Sequence, residues 1–130
     1  MPIYEPIKAG AAFAASASDL VDLRWGTHRL TAEFLIPGPV PRVLRVGFDS
    51  ECIVRILNEM PLSTEEEDGP DEGLKPDHFA YRVEGAAFAR AQSEAWKQER
   101  GPVAHYRFIT GGACLDVLSA SVPTFSATRW

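Results

Sequence analysis

The chain has little of what usually announces chemistry. Its two cysteines, Cys52 and Cys114, lie far apart with no CxxC spacing; both fall in strand-like alternation and read as small buried hydrophobes, and a disulfide between them requires the fold to bring their Cα atoms within about 7 Å. The three histidines, His28, His78 and His105, stand on three separate segments. None has the close spacing of a zinc set, and Asp77 and His78 diverge as neighbours on a strand, so no metal and no cofactor is expected. There is no GxSxG, no phosphate-cradling glycine loop and no dinucleotide fingerprint. Asp68-Gly69-Pro70-Asp71 lacks the alternating oxygen ligands of a calcium loop. No apolar run approaches membrane-spanning length. Ala9–Ala17, with Phe13 as its single bulky residue and Lys8 as its preceding base, is too weak for a secretory core. A cytoplasmic protein with no membrane partner is expected. Lysine is scarce too, three against ten arginines. With no aromatic set interleaving the arginines, nucleic acid is disfavoured. The arginine bias, with abundant alanine, glycine and proline, fits a GC-rich bacterial genome.

Acidity is what the chain has, and it is concentrated. The stretch Glu59 to Asp77 holds eight of the eighteen acidic residues and one base, Lys75, for a charge of −7. The remainder carries +2, so the net charge of −5 belongs to one segment and the body is close to neutral. Prolines and glycines punctuate that stretch, which is predicted to be a mobile acidic loop at about 59–77. At 130 residues the chain is expected to form a single domain spanning 1–130.

Period-two alternation dominates the rest. Val21, Leu23 and Trp25 share a face, and a Gly26-Thr27 turn sets Leu23 opposite Leu30 and Val21 opposite Ala32. A helix capped by Ser18 is the rival reading of this first segment. The Pro37–Pro41 connection pairs Phe34 with Leu44 and Ala32 with Val46. A three-residue turn after Phe48 continues the meander, with Val46 opposite Val54 and Leu44 opposite Ile56. Phe79, Tyr81 and Val83 mark a fifth strand. Ala86 to Arg100 predicts one helix, stopped by Gly101 and Pro102. The strand, helix and following strand would form a parallel crossover. Gly111-Gly112 signals a type I′ hairpin that sets Phe108 opposite Leu115, Tyr106 opposite Val117 and Arg107 opposite Asp116. The predicted fold is α+β: a largely antiparallel sheet of six or seven strands, a meander followed by a β-α-β-hairpin, with one main helix near 86–100.

Two functional readings follow. On the meander's outer face one rung reads Glu33, Arg45, Arg55 and the next Leu35, Val43, Leu57, with Ile53 further along. Three aliphatics side by side are out of place on a face meant for water, so either the second half of the chain covers this face or it is an interface, and one helix can shield only part of a broad sheet. The leading expectation is therefore a non-catalytic interaction module, a homodimer that uses these residues or a protein partner at the same face. The alternative is a small enzyme or ligand-binding protein with a pocket between sheet and helix, whose polar groups are His105, Arg107 and Asp116. Cys114 and His105 make no dyad within the hairpin, because the register sets Cys114 against Ile109.

Overall fold

A computed structural model describes residues 2–57 and 72–130. Nine strands run in order among the described residues: β1 Ile3–Pro6, β2 Leu20–Trp25, β3 Leu30–Ile36, β4 Arg42–Phe48, β5 Ile53–Leu57, β6 Ala80–Glu84, β7 Ala104–Ile109, β8 Cys114–Ser119 and β9 Thr124–Arg129. Two short helices, α1 Ala87–Arg90 and α2 Glu94–Arg100, lie between β6 and β7. The strands form two antiparallel sheets, β1-β6-β7-β8-β5 and β2-β3-β4-β9. The fold is predominantly β, which corrects the α+β expectation. No helix among the described residues is long and apolar enough to cross a membrane.

The sheets pack face to face through one continuous core. Leu30, Ala32 and Phe34 from β3 and Leu44, Val46 and Phe48 from β4 meet Phe108, Leu115 and Val117 from the opposite sheet. Phe34 contacts both Phe79 and Phe108, and Phe48 contacts Tyr106. The second face of the five-stranded sheet carries a smaller cluster, Tyr4, Tyr81, Val83 and Ala86. There α1 lays Phe88 against His105 and Arg55.

Several pairings hold and others move. Phe34 faces Leu44 and Ala32 faces Val46 as predicted. In the first hairpin Leu23 faces Ala32 and Trp25 faces Leu30, a slip of two residues that preserves the buried face. The turn tightens one residue later, with Gly26 N–H bonded to the Arg29 carbonyl. The larger correction concerns β5. It leaves β4 and pairs with β8, Val54 opposite Val117 and Ile56 opposite Leu115, while β9 takes the place beside β4. The crossover is held by hydroxyls: Asp49 N–H donates to Ser121 Oγ, and Ser50 Oγ lies 2.8 Å from Ser119 Oγ. Alternation decides which way a side chain points, and both arrangements turn Val54 towards the core, whereas Ile56, expected in the core, is 48% exposed.

The crossover predicted between β6 and β7 is also absent, since Ala80 faces Phe108 in an antiparallel pair. The single helix breaks in two at Ser93, whose hydroxyl accepts from Trp96 N–H and caps α2. A serine inside a helical pattern competes for backbone donors and gains most at an N-cap. Trp96 Nε1 and Arg100 then both reach Glu51 Oε1, tying α2 to the connection between β4 and β5.

Most of the predicted acidic loop lies outside the described residues. Its described end is engaged: Glu72 bonds Tyr4 N–H at 2.7 Å, and Asp77 accepts from the amide and hydroxyl of Ser16.

The β7–β8 hairpin keeps its predicted register, with Arg107 opposite Asp116 across a two-residue turn. The turn is not type I′, because neither Gly111 nor Gly112 has a positive φ. Thr110 closes it, its hydroxyl donating to the Ala113 carbonyl at 2.6 Å and accepting from Ala113 N–H at 2.9 Å. Glycine is required for space instead. A Cβ at Gly111 would overlap the Ser16 carbonyl oxygen, part of a backbone segment that also bonds Gly111 N–H through Ser18. Gly111→Ala should therefore cost about 1–3 kcal/mol by overpacking, read as a lower urea midpoint at unchanged slope. An unchanged midpoint would show that the Ser16 segment yields freely.

Candidate functional site

The alternating strands carry His105 and Arg107 from β7, Asp116 from β8 and Arg55 from β5 to one face of the five-stranded sheet, because i and i+2 residues share a face. One rung reads Tyr81, Arg107, Asp116, Arg55 across four strands. The three predicted residues come together as expected. Asp116 Oδ1 accepts from His105 Nε2 and Arg107 Nε, each at 2.7 Å. Its Oδ2 accepts from Arg55 Nε at 3.2 Å and Nη2 at 2.7 Å. Arg107 Nη1 continues to the Tyr4 hydroxyl at 2.6 Å. Arg107 and Asp116 are fully buried, and His105 is 3% exposed.

Burial by itself would push the Asp116 carboxyl upward. The hydrogen bonds from His105 and Arg107 and the Arg107 charge outweigh it and hold the group well below the usual carboxylate range. Burial likewise works against the Arg107 cation, and Asp116 outweighs it, raising the guanidinium above its ordinary value. For His105 burial wins: its pKa falls despite Asp116, with Arg107 and Arg55 adding to the decrease. The imidazole is thus neutral at pH 7. Since ionised Asp116 can only accept, the Nε2–H tautomer is fixed and Nδ1 is left as a lone-pair acceptor. That Nδ1 and Arg107 Nη2 are buried without a hydrogen-bond partner.

Chemically, Asp116 is saturated by its donors and orients its neighbours. His105 alone of the three borders open space. It lines a cleft of about 230 Å³ between the sheet and the two helices. A larger open concavity of about 990 Å³ lies on the outer face of the four-stranded sheet. Four of its charged residues pair with one another, Arg24 with Asp22 and Arg45 with Glu33, and Arg29 and Asp49 also line it.

The expected interface residues are separated by the exchange of β5 and β9. Leu35 and Val43 remain opposite each other and Arg45 remains opposite Glu33, all in the four-stranded sheet. Leu57 faces Cys114, Ile53 faces Leu118 and Arg55 faces Asp116, all in the other sheet. Val43 is 2% exposed. The free thiols Cys52 and Cys114 are both buried. Burial pushes the Cys52 thiol up, against bonds to Ser119 and Ser50, so it is a poor nucleophile. His78 Nε2 lies 3.2 Å from the Ile7 carbonyl, and no group of potential metal ligands occurs among the described residues.

Two partners in the cluster escaped sequence reasoning. Arg55 had a usable signal: set opposite Asp116 it completes a rung of alternating charge, whereas beside Arg45 it meets a like charge. Tyr4 had none, because β1 is four residues long and contains a proline.

Removing Asp116 leaves Arg107 buried and uncompensated, so Asp116→Ala should lose about 3–5 kcal/mol, measured by denaturant melts at pH 7. A loss within about 0.5 kcal/mol, as surface changes give, would mean the cluster is hydrated. The lowered His105 pKa makes the unfolded chain the stronger proton binder. Its contribution is complete above the unfolded histidine value of 6.5 and declines as pH falls below it. Melting temperature should accordingly drop from pH 7 towards pH 5 in the wild type and drop less in His105→Gln. Equal acid sensitivity in the two would assign the effect to other groups.

No family model matches the chain, and no similar curated protein or solved structure was found.

Proposed function

We propose that this domain is a non-catalytic interaction module that pairs with a second copy of itself through the edge of β9, which no other strand covers among the described residues. The reading rests on how the four sheet edges differ. At β1 the edge is occupied, with Glu72 accepting from Tyr4 N–H and donating to the Pro2 carbonyl. β2 carries Asp22 and Arg24 and a register shift between Leu20 and Asp22. β5 is short and holds Arg55. Charges, bulges and short length are the usual guards against edge pairing. β9 has none of them: its register with β4 is continuous over six residues, and its one charge, Arg129, lies at the end. The two most exposed large apolar side chains among the described residues, Val122 at 72% and Trp130 at 69%, flank it.

Its sequence is also self-complementary. A two-fold axis perpendicular to the sheet pairs antiparallel strands so that opposite residues share a face. Centred on Ser126, the axis sets Thr124 opposite Thr128 of the partner subunit, a favourable strand pair. Continued outward, the same register sets Val122 opposite Trp130 of the partner subunit at both ends. No like charges meet. The contact thus moves from the Leu35, Val43 and Leu57 rung to a strand beside Val43 and Arg45, which pair with Thr128 and Ser126. Such an interface is at the small end of the known range, so a dissociation constant on the order of micromolar is expected.

Ser126 tests this directly. Opposite strand residues lie about 4.5–5.5 Å apart between Cα atoms, within disulfide reach. Ser126→Cys should oxidise to a covalent dimer, while the buried native cysteines stay free. Ser126→Lys places two like charges on the axis and should give a monomer by light scattering at an unchanged melting temperature. A wild type that is monomeric at about 100 µM, well above the expected constant, together with no crosslink in the cysteine variant, would overturn the assignment.

A further inference from the structure

Between β6 and β7 the chain runs from Gly85 to Gly101 through α1 and α2. Each end is a glycine with left-handed backbone, φ 81° at Gly85 and 88° at Gly101. A Cβ at Gly101 would meet nothing within 4 Å, so the chain can turn there without obstruction. Residues of this kind absorb the backbone change of a hinge at little steric cost. Between the two glycines little fastens the segment. Phe88 is the single buried residue of α1, and α2 has none. The far end is tied by polar contacts, Trp96 Nε1 and Arg100 to Glu51. A unit with so little buried surface opens at a fraction of the cost of global unfolding.

Phe88 rests on the charged cluster. Its ring packs against His105 at 5.3 Å between centroids and against the Arg55 guanidinium at 4.5 Å. Arg55 and Arg107 stay cationic and Asp116 is held ionised, so His105 is the one member whose charge can change near neutral pH. With the ring neutral, one carboxylate already faces two guanidiniums. A further proton adds a third cation and turns Nδ1 from a buried acceptor into a buried donor, again without a partner. No second acid meets the ring. β8 supplies Asp116, β7 Arg107 and β5 Arg55. From β6, Arg82 and Glu84 line the adjoining cleft as a pair of opposite charges. α2 brings Lys97, already bonded to Glu94, and α1 brings Arg90, bonded to the Gly85 carbonyl. Water would relieve both costs. The strands around His105 cannot part without losing ladder hydrogen bonds, whereas α1 can lift.

We propose that the segment from Gly85 to Gly101 is an acid-operated flap, which a second proton on the His105 ring lifts from the five-stranded sheet while the sandwich stays folded. The flap is independent of the β9 edge, which belongs to the other sheet. In the open flap the ring is hydrated and titrates near its ordinary 6.5, while the closed cluster takes up the proton less readily. Closure is therefore strongest above about pH 6.5, and below it the open fraction rises by up to about tenfold per pH unit, the limit for one proton.

Native-state hydrogen exchange, expressed as protection factors at each pH, reads this directly. The reporters are the amides of Ala91 and Lys97, bonded to the Ala87 and Ser93 carbonyls. Both should be less protected than the amides of β7 and β8, and dilute urea should speed the sheet amides alone, because flap opening exposes little surface. From pH 7 to pH 5.5 protection of the two reporters should fall about tenfold. His105→Gln, which keeps a donor for Asp116 and cannot gain the charge, should lose that acid response. Phe88→Ala should lower protection of both reporters already at pH 7. Reporters that share the protection and urea response of the sheet would show that only global unfolding occurs and would overturn the flap. An equal acid response in His105→Gln, or unchanged reporters in Phe88→Ala, would overturn it too.

Discussion

A carboxylate surrounded by N–H donors and sealed from water sets the order of the five-stranded sheet. Asp116 on β8 is held by β7 on one side, through Arg107 and His105, and by β5 on the other, through Arg55. Arg107 extends the chain of contacts to Tyr4 on β1. Such a cluster is weak evidence for net stability, since desolvation offsets much of the attraction. Its effect is on specificity. Moving any of these strands by one residue would turn a guanidinium or the carboxylate into the apolar face between the sheets, where no partner exists. The cluster also accounts for α1. A charged rung on a sheet face must be shielded from water to remain a rigid pair, and Phe88 supplies that cover over Arg55 and His105.

Strand faces were legible in the sequence and strand neighbours were not. Alternation placed Phe34, Leu44, Val46 and Val54 inside, and all face the core or pack on it. It could not separate a β4–β5 hairpin from a crossover between sheets, because each turns the same parity towards the core. The crossover is held by Ser50, Ser121 and Ser119 at the end of β8, and nothing in their local sequence pairs these hydroxyls with one another. β9 was missed for a related reason: Thr124, Ser126 and Thr128 face outward and dilute its apolar pattern. The assembly of His105, Arg107 and Asp116 was readable, since one hairpin register decides it and charge and face agree there. The third arm of the cluster required the long-range pairing of β5.

The paired glycines show how a correct local reading can rest on the wrong cause. Gly111-Gly112 suggested left-handed backbone, yet Thr110 builds the turn and the glycines admit the 16–19 segment against it. That segment bridges the two sheets: Ser18 Oγ donates to the Leu35 carbonyl in one, and the Ser18 carbonyl accepts from Gly111 in the other. The turn is therefore part of the sheet-to-sheet packing and more than a local connection.

The same topology has a kinetic consequence. β1 joins β6, β4 joins β9 and β5 joins β8, with Leu57 meeting Cys114 and Val43 meeting Thr128, so every outer pairing except the β2–β3 hairpin closes a very long loop. Loop-closure entropy must be met before those contacts contribute, which places the chain among slow, millisecond-to-second folders. The β2–β3, β3–β4 and β7–β8 hairpins are the local units able to form early. β4 reaches its partner β9 only across most of the chain, so until that loop closes the edge of β4 is open as well, and a chain in that state presents β4 and β9 unpaired to its neighbours.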